Sequence, residues 1–299
     1  MTQTPIGIKT SNHAWSPDVT ALLPVDVVPD ALILSTSTKI GETHGDFPVG
    51  RGAYVDDATP QFTPEGEQIP VSKPKLDEVL VYTGKMTQLV TISQDQYSQQ
   101  NTSATLSQSL RRSMTLEANR AYLAQPDPAP DMYPPPGLLN VPGVIDAGLL
   151  DENLDALADA LGMIETNKGT PTHIICAPDA WGWLRKFKTG TDRNTTLLGA
   201  GTLDQEKRLL GIPVFTTPAM PSGRLLVLDK TAVVSVYGNI EVAISEHLYF
   251  DYDAVAIRAT WRFGQNVFRP DRLATLTVAN PGDWTGPVDP GNPDEPEGK

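Results

Sequence analysis

One thirty-residue segment constrains the fold more than any other feature of this chain. Asp46 to Lys75 is rich in Gly, Pro, Thr and charged residues, with prolines at positions 48, 60, 64, 70 and 74. A loop this long is uncommon inside a compact domain unless it is functional or disordered. Its flanks, Phe47 to Val55 and Glu78 to Ile92, carry β-forming residues in strand-like patterns. We therefore predict a long two-stranded excursion with a polar tip near Asp56 to Ser72.

A long helix should follow this excursion. After a short helix over Ser93 to Gln100, either Thr102 or Ser103 can cap a helix that runs to about Ala124. Its apolar stripe has helical period and consists of Leu106, Leu110, Met114, Ala118 and Ala121. About 22 residues at ~1.5 Å each give a rod of about 33 Å. Prolines at 126, 128 and 130 end it, because proline lacks an N–H and restricts the preceding residue.

The second half of the chain alternates helices and strands, which predicts an α+β unit. We expect helices over Glu152 to Thr166 and from Pro178 through Phe187. The expected strands are Thr172 to Ala177, Ile212 to Thr216, Arg224 to Leu228, Ala232 to Tyr237, Ile240 to Ser245, Tyr249 to Phe263 and Leu273 to Val278.

Both ends of the chain have the composition of extended segments. Residues 1 to about 30 contain prolines at 17, 24 and 29 and show no helical periodicity, which predicts an arm that needs a partner surface. Ala31 to Ser35 has the composition of a short strand. Asn280 to Lys299 contains five prolines and five carboxylates, and its only aliphatic residue is Val288. This predicts an extended acidic tail.

Composition excludes several classes of protein. No apolar stretch approaches the roughly 20 residues that cross a bilayer, and Met1 to Lys9 lacks the core of a secretory signal, so we expect no membrane association and no secretion. Cys176 is the only cysteine, which excludes an intrachain disulfide and a cysteine-based zinc cluster, and its apolar surroundings predict a buried strand residue. A formal net charge of -13 repels a phosphate backbone and argues against ordinary DNA binding.

No motif for chemistry emerges from the sequence. Leu198 to Gly201 lacks the Lys-Ser/Thr of a phosphate-binding loop. Asp56 and Asp57 are neighbours on a loop, where nothing would desolvate one carboxyl to make it a general acid. The best metal candidates are Glu246, His247, Asp251 and Asp253, but neighbours on an extended strand point to opposite faces. We predict no catalytic residues, no cofactor and no metal, so the protein should not be an enzyme.

Five short sequence motifs follow one another along the chain in a specific order. A Glu-Gly turn lies at Glu65-Gly66, a helix start at Ser93, a strand-Pro-x-x-Trp helix at Ile174 to Trp181, a Leu-x-Gly-x-Pro-Val turn at Leu209 to Val214, and a Phe-Arg-Pro close at Phe268 to Pro270. Together with the arm, the excursion and the rod helix, they resemble the Hong-Kong-97-type major capsid proteins of tailed bacteriophages, over about residues 31 to 278.

This resemblance implies an α+β fold with a defined division of the chain. It implies an N-terminal arm over 1–30, a peripheral-domain strand over 31–46, and the extended loop with its return strand over 47–92. A spine helix and connector over 93–136 would precede an axial domain over 137–248. Peripheral-domain return strands over 249–279 and the acidic tail over 280–299 would complete the chain.

The resemblance also implies function and partners. Subunits would form pentamers and hexamers of an icosahedral head that encloses double-stranded DNA, together with a portal and decoration proteins, and would assemble in the host cytoplasm. Since only about 30 residues precede the first predicted strand, we expect a separately encoded scaffold protein. Inter-subunit contacts are expected at the loop tip, through Asp56, Asp57, Glu65, Gly66, Ile69, Lys73 and Lys75. Further contacts are expected from the spine and peripheral domain, through Arg111, Arg112, Arg120, Arg262 and Arg269.

The type member of the family cross-links its shell through a loop lysine and a neighbour's asparagine, assisted by a glutamate. Matching the turn at Glu65-Gly66 places Ile69 at the lysine position. The asparagine position falls near Asp253, and the glutamate position falls near Thr260 or Trp261. All three groups are missing, although Lys73 and Lys75 lie nearby. An exposed lysine stays protonated near its reference pKa of about 10.4, so we expect a shell without covalent cross-links.

Other functions are compatible with parts of this pattern. An encapsulin-type nanocompartment shell resembles the same family, but encapsulins generally begin with a helix that docks cargo, and residues 1 to 30 predict none. A hydrolytic enzyme with a mixed α+β domain would need a convergent site that the sequence lacks. A head decoration or tail tube protein is usually shorter and has no rod helix.

Overall fold

Two large β-sheets and a separate strand pair organise the protein in a computed structural model. The structure describes residues 19–41, 49–55, 62–66, 68, 76–99, 102–127, 134–151, 153–188 and 207–280. Its helices are α1 (Pro24–Val27), α2 (Leu32–Thr36), α3 (Gln94–Tyr97), α4 (Thr102–Ala124), α5 (Asp155–Thr166) and α6 (Pro178–Leu184). Its strands are β1 (Val19–Leu22), β2 (Thr38–Gly41), β3 (Val49–Val55), β4 (Leu76–Tyr82), β5 (Gly84–Ser93), β6 (Ile145–Leu150), β7 (His173–Cys176), β8 (Arg208–Leu209), β9 (Ile212–Thr216), β10 (Arg224–Leu228), β11 (Val233–Tyr249), β12 (Ala254–Val267) and β13 (Leu273–Val278).

The first sheet has five strands in the order β1-β11-β12-β5, with β2 also paired to β11. The long strands β11 and β12 are antiparallel, and β5 pairs with β12 along its whole length. Trp261 of β12 is fully buried, and its indole N–H donates to the Gly238 carbonyl at 3.0 Å. Helix α4 buries Met114, Ala118, Tyr122 and Leu123 in the same core as this sheet.

The second sheet has six strands in the order β6-β13-β10-β7-β9-β8. Its central strands contain buried apolar runs, such as Leu225 to Leu228 of β10. Helices α5 and α6 bury Leu157, Ile164 and Leu184 in the core. Buried Asp229 accepts hydrogen bonds from the N–H groups of Thr170 and Thr231, and it lies 3.8 Å from Arg272. This carboxylate therefore connects three segments at one end of the sheet.

Many predicted elements are confirmed. The α+β class is correct, and α4 matches the predicted rod helix at both ends. Strands β9, β10 and β13 have the predicted bounds. The single cysteine, Cys176, is a buried strand residue as predicted. The excursion begins as the strand pair β3 and β4, in register from Val49↔Tyr82 to Val55↔Leu76.

Two predictions near the N-terminus are wrong. The predicted strand over Ala31 to Ser35 is the helix α2, because burial of Leu32 and Ile33 and a hydrogen bond from the Leu32 N–H to the Asn119 side chain at 2.8 Å override local strand propensity. The predicted arm over residues 1 to about 30 is wrong for the part that the structure describes. Residues from Val19 onward form β1, which pairs with β11, and then the helical turn α1. Residues 1–18 lie outside the described residues.

The domain boundaries predicted from the sequence also do not coincide with the boundaries of the two sheets. Strand β11 falls inside the predicted unit over 137–248, but it belongs to the five-stranded sheet. Strand β13 falls inside the predicted return strands over 249–279, but it lies in the six-stranded sheet between β10 and β6. The two predicted strands before position 246 are one strand with an irregular register between Tyr237 and Ile240. The predicted strand over Tyr249 to Phe263 starts later, at Ala254, because a 3-10 turn and Asp253 with a φ of 48° precede it.

Candidate interaction surfaces

The β3–β4 hairpin extends from the five-stranded sheet. Near its tip, Glu65 and Gly66 form a turn in which Gly66 has a φ of 89°, so a side chain there would be strained. The Phe62 side chain is fully exposed. The predicted contact residues Asp56, Asp57, Ile69, Lys73 and Lys75 lie outside the described residues. The tip thus presents an unburied aromatic ring and a fixed turn.

The base of the hairpin is held by close backbone approaches. A Cβ added at Gly50 would lie 2.4 Å from the Val236 side chain, and one added at Gly52 would lie 2.6 Å from Ile40. At Gly264 an added Cβ would lie 2.0 Å from the Tyr82 carbonyl oxygen. Sequence reasoning missed these contacts, although the alternating glycines at 50 and 52 inside a strand are a signal of close approach. The hairpin is anchored where it leaves the sheet.

One face of the five-stranded sheet is not covered by any other described part of the chain. Side chains alternate along β5, so that Lys85, Thr87, Leu89 and Thr91 are exposed. Their register partners on β12 include Arg262, opposite Lys85, and Arg258, opposite Leu89. Arg262 already has an interaction partner within the chain. This face carries both apolar and cationic side chains.

The exposed side of α4 borders an open groove of about 450 Å³. Arg111, Arg112 and Leu116 form its wall on the helix, Pro29 lies on the segment between α1 and α2, and Pro218 lies on the loop after β9. Neither guanidinium has a hydrogen bond or ion pair with the part of the chain that the structure describes. The groove therefore joins two cations, unpaired within the described ranges, to apolar side chains from three segments.

The remaining predicted arginines lie apart from this groove. Arg120 is exposed on α4. Arg269 is half-buried just before the 3-10 turn Pro270–Arg272 and has an interaction partner within the chain. The structure therefore brings Arg111 and Arg112 together in one surface and leaves Arg120, Arg262 and Arg269 on others.

A second cavity lies between α4 and the edge of the five-stranded sheet. Its lining includes Met86, Glu117, Phe263 and Gln265. The Gln265 amide nitrogen donates to the Pro136 carbonyl at 3.1 Å, whereas its buried side-chain oxygen has no partner among the described residues. Sequence reasoning gave no signal for this site, because it forms only when β12 and the connector meet.

Perturbed titratable groups serve packing rather than chemistry. Burial raises the pKa of the Tyr122 phenol, whose hydroxyl bonds Thr36 at 3.0 Å. Burial also raises the pKa of the Cys176 thiol to about 12 and so suppresses the reactive thiolate. At Asp179, burial acts to raise the pKa, but hydrogen bonds from Ser222 and from backbone N–H groups outweigh it and lower the pKa. The charges of Lys207 and Asp179 also act on the Cys176 thiol, but burial has the larger effect on its pKa.

The possible metal ligands do not converge. No group of three or more His, Cys, Asp or Glu side chains suited to a metal occurs within the described ranges. Asp251 and Asp253 are exposed at the turn between β11 and β12, and the side chains of Glu246 and His247 lie outside the description.

None of the described helices is both long and apolar enough to cross a membrane.

The positions that correspond to the family's cross-link have unsuitable surroundings. Asp253 is exposed, and its carbonyl accepts from the Gln94 N–H at 2.9 Å. Thr260 is half-buried on the uncovered face of the sheet, and Trp261 lies in the core. The described part of this site supplies neither an asparagine nor a glutamate at the matched positions.

Comparison with known proteins identifies the class. A profile of the phage capsid family matches residues 38–278. Because this match covers most of the chain, the protein belongs to the phage capsid family. No curated protein matches the chain by sequence.

Solved structures share the fold. A chain from Microbacterium phage Oxtober96 is 13% identical, with a TM-score of 0.64, and the alignment covers 92% of this chain and 96% of that chain. A chain from Gordonia phage Cozz is 12% identical, with a TM-score of 0.64 and coverage of 93% and 92%. The capsid of a native GTA particle is 13% identical, with a TM-score of 0.63 and coverage of 93% and 95%. At such identities the likeness concerns the fold alone.

Family membership confirms the resemblance read from the sequence. The protein is a structural capsid protein of the virion that self-assembles into a shell, and it is not an enzyme. The hydrolase alternative is thereby excluded.

Proposed function

We propose that this protein forms the pentamers and hexamers of an icosahedral phage head that encloses packaged double-stranded DNA. The β3–β4 hairpin is the observation that carries the proposal. Of its described side chains, only Val81 is buried, and its hydrophobic cluster lies at the base with Val234 and Val236. Ordering a residue costs roughly 1 to 2 kcal/mol of conformational entropy, so an extension without a core needs contacts from neighbouring subunits.

The two sheets take different places in this assembly. We assign the five-stranded sheet, helix α4 and the hairpin to the peripheral domain, and the six-stranded sheet with α5 and α6 to the axial domain around which subunits cluster. In this assignment β11 is peripheral and β13 is axial, which revises the boundaries proposed from sequence. The predicted tip residues and the arginines Arg111, Arg112, Arg120, Arg262 and Arg269 supply inter-subunit contacts.

In this proposal the shell encloses DNA without binding it tightly. A net charge of -13 opposes phosphate binding, because affinity for nucleic acid depends on neutralising phosphates with Lys and Arg. The family resemblance adds a separately encoded scaffold, a portal and decoration proteins as partners, and assembly in the host cytoplasm. A longer precursor of this chain in infected cells would contradict the separate scaffold.

Subunits are held together without covalent bonds in this proposal, because the matched positions Ile69, Asp253 and Thr260 cannot form the family's isopeptide bond. A denaturing gel of boiled mature particles should show a single band near 32.3 kDa. A ladder of multiples up to hexamer would show that Lys73 or Lys75 reaches an acceptor and would overturn this part of the proposal.

Electron microscopy of the purified chain tests the assembly. We expect closed particles, and we expect a variant in which residues 56–75 are replaced by Asn-Gly to remain folded but to form none, since Asn-Gly closes a two-residue hairpin. Unchanged particles from the shortened hairpin, or a stable ordered monomer of the full chain, would contradict the proposal.

A further inference from the structure

The groove beside α4 has the chemistry of a binding site for an acidic, proline-rich segment. Arg111 and Arg112 are exposed along it and lack ion-pair partners among the described residues. Leu116 and Pro218 supply apolar surface that is also exposed. Asp30 lines the groove too and opposes the two cations, which leaves one net positive charge. In a protein of net charge -13, such a surface favours an acidic occupant.

The C-terminal segment fits this description. Residues 281–299 carry five carboxylates against one lysine, five prolines, and the aromatic Trp284. Proline-rich segments favour an extended conformation that loses little entropy on binding in a groove. By contrast, residues 1–18 carry one lysine and one aspartate, so they offer no charge complementarity.

The tail is also long enough to reach the groove. The Val278 N–H donates to the Gly223 carbonyl at 2.7 Å, so the chain leaves its last strand beside the loop that begins at Thr217 and Pro218. Gly223 lies five positions after Pro218, a span of at most about 18 Å. The 19 residues from 281 to 299 reach about 60 Å when extended at ~3.1 Å each. The tail can therefore cover the distance with residues to spare.

We propose that the groove formed by α4, the segment before α2 and the loop after β9 binds the acidic C-terminal tail, residues 281–299, of the same chain or of a neighbouring copy. The two guanidinium groups pair with tail carboxylates, and Trp284 or the prolines pack against Leu116 and Pro218. This binding is separate from the shell proposal, because it can be measured on dissociated subunits as well as on particles.

Thiol cross-linking of the full chain tests the inference. The variant Gln108→Cys with Val288→Cys places one thiol in the groove and one in the tail. The matched control is Glu117→Cys with Val288→Cys, because nine residues at 100° each put position 117 on the opposite side of α4. Cys176 stays silent, since it is fully buried. With a short bismaleimide, we expect the groove pair to cross-link in much higher yield than the control pair.

Either product supports the inference: an internal loop on the gel means the same chain, and a dimer means a neighbouring copy. Arg111→Gln with Arg112→Gln should lower the yield about three- to fivefold, the effect of losing two exposed ion pairs. Neutralising the five tail carboxylates should lower the yield to a similar extent without changing any of the residues that form the groove. Yields equal to the control, or a higher yield from Gln108→Cys with Ser11→Cys in the N-terminal segment, would overturn it.

Discussion

The six-stranded sheet and the β3–β4 hairpin obtain their stability from different sources. In the sheet, Leu225 to Leu228 are fully buried between β7 and β13. In the hairpin, the strands pair only with each other, and the described side chains are mostly exposed. The sheet is therefore complete within one subunit, whereas the hairpin depends on its anchor and on whatever it contacts. A capsid protein can in this way combine a rigid unit with an extension that joins subunits.

A cavity in the six-stranded sheet should have the largest effect on subunit stability. Leu226→Ala removes a buried side chain at the centre of β10, and such changes cost about 2 to 5 kcal/mol. Urea unfolding of the subunit measures the loss. Leu89→Ala, at an exposed position of β5, should change stability by less than about 0.5 kcal/mol. Similar losses at the two positions would contradict the assignment of the core.

The ion pairs in these two regions should also contribute differently to the free energy of unfolding. Asp229→Ala leaves the N–H groups of Thr170 and Thr231 without their acceptor and removes the ion-pair partner of Arg272, so we expect a loss of about 2 to 3 kcal/mol. In the hairpin, Arg51 and Glu78 lie 3.5 Å apart with side chains 72% and 54% exposed. Glu78→Gln should therefore cost within about 0.5 kcal/mol. Equal losses of unfolding free energy for Asp229→Ala and Glu78→Gln, measured by urea unfolding, would contradict this difference between the two regions.

Displacing the hairpin at its base should affect assembly more than folding. Gly264→Ala forces a Cβ against the Tyr82 carbonyl, a backbone contact that no side-chain rotation relieves, and overpacking of this kind costs about 1 to 3 kcal/mol. We expect a modest loss in urea unfolding but a large loss of particles in electron micrographs. Gly162→Ala is the control, because an added Cβ in α5 meets nothing within 4 Å. Normal particles from Gly264→Ala would show that the anchor does not orient the hairpin.

The same contrast explains what the sequence could predict. Continuous apolar runs such as β10, and the periodic stripe of α4, specify their own structure locally, so their bounds were predicted correctly. Helix α2 and strand β6 depend on distant partners, namely Asn119 for α2 and β13 for β6, so local propensity gave the wrong element or none. The groove was not predicted from the sequence, which named Arg111 and Arg112 only as expected inter-subunit contacts. Its other walls come from Pro29 and Pro218, which only the fold brings together.

The smallest predicted effect is on how the stability of the six-stranded sheet depends on pH. Burial, followed by the positive charge of Lys230, lowers the pKa of His173 on β7 below 6.5. The unfolded chain therefore binds a proton more readily than the folded one, so this residue stabilises the fold fully above pH 6.5 and loses that contribution as the pH falls through its folded pKa. His173→Gln should flatten the dependence of unfolding free energy on pH between about 7 and 5, where ordinary carboxylates stay ionised. An unaltered slope in urea unfolding of His173→Gln would show that the imidazole is as well solvated in the folded sheet as in the unfolded chain.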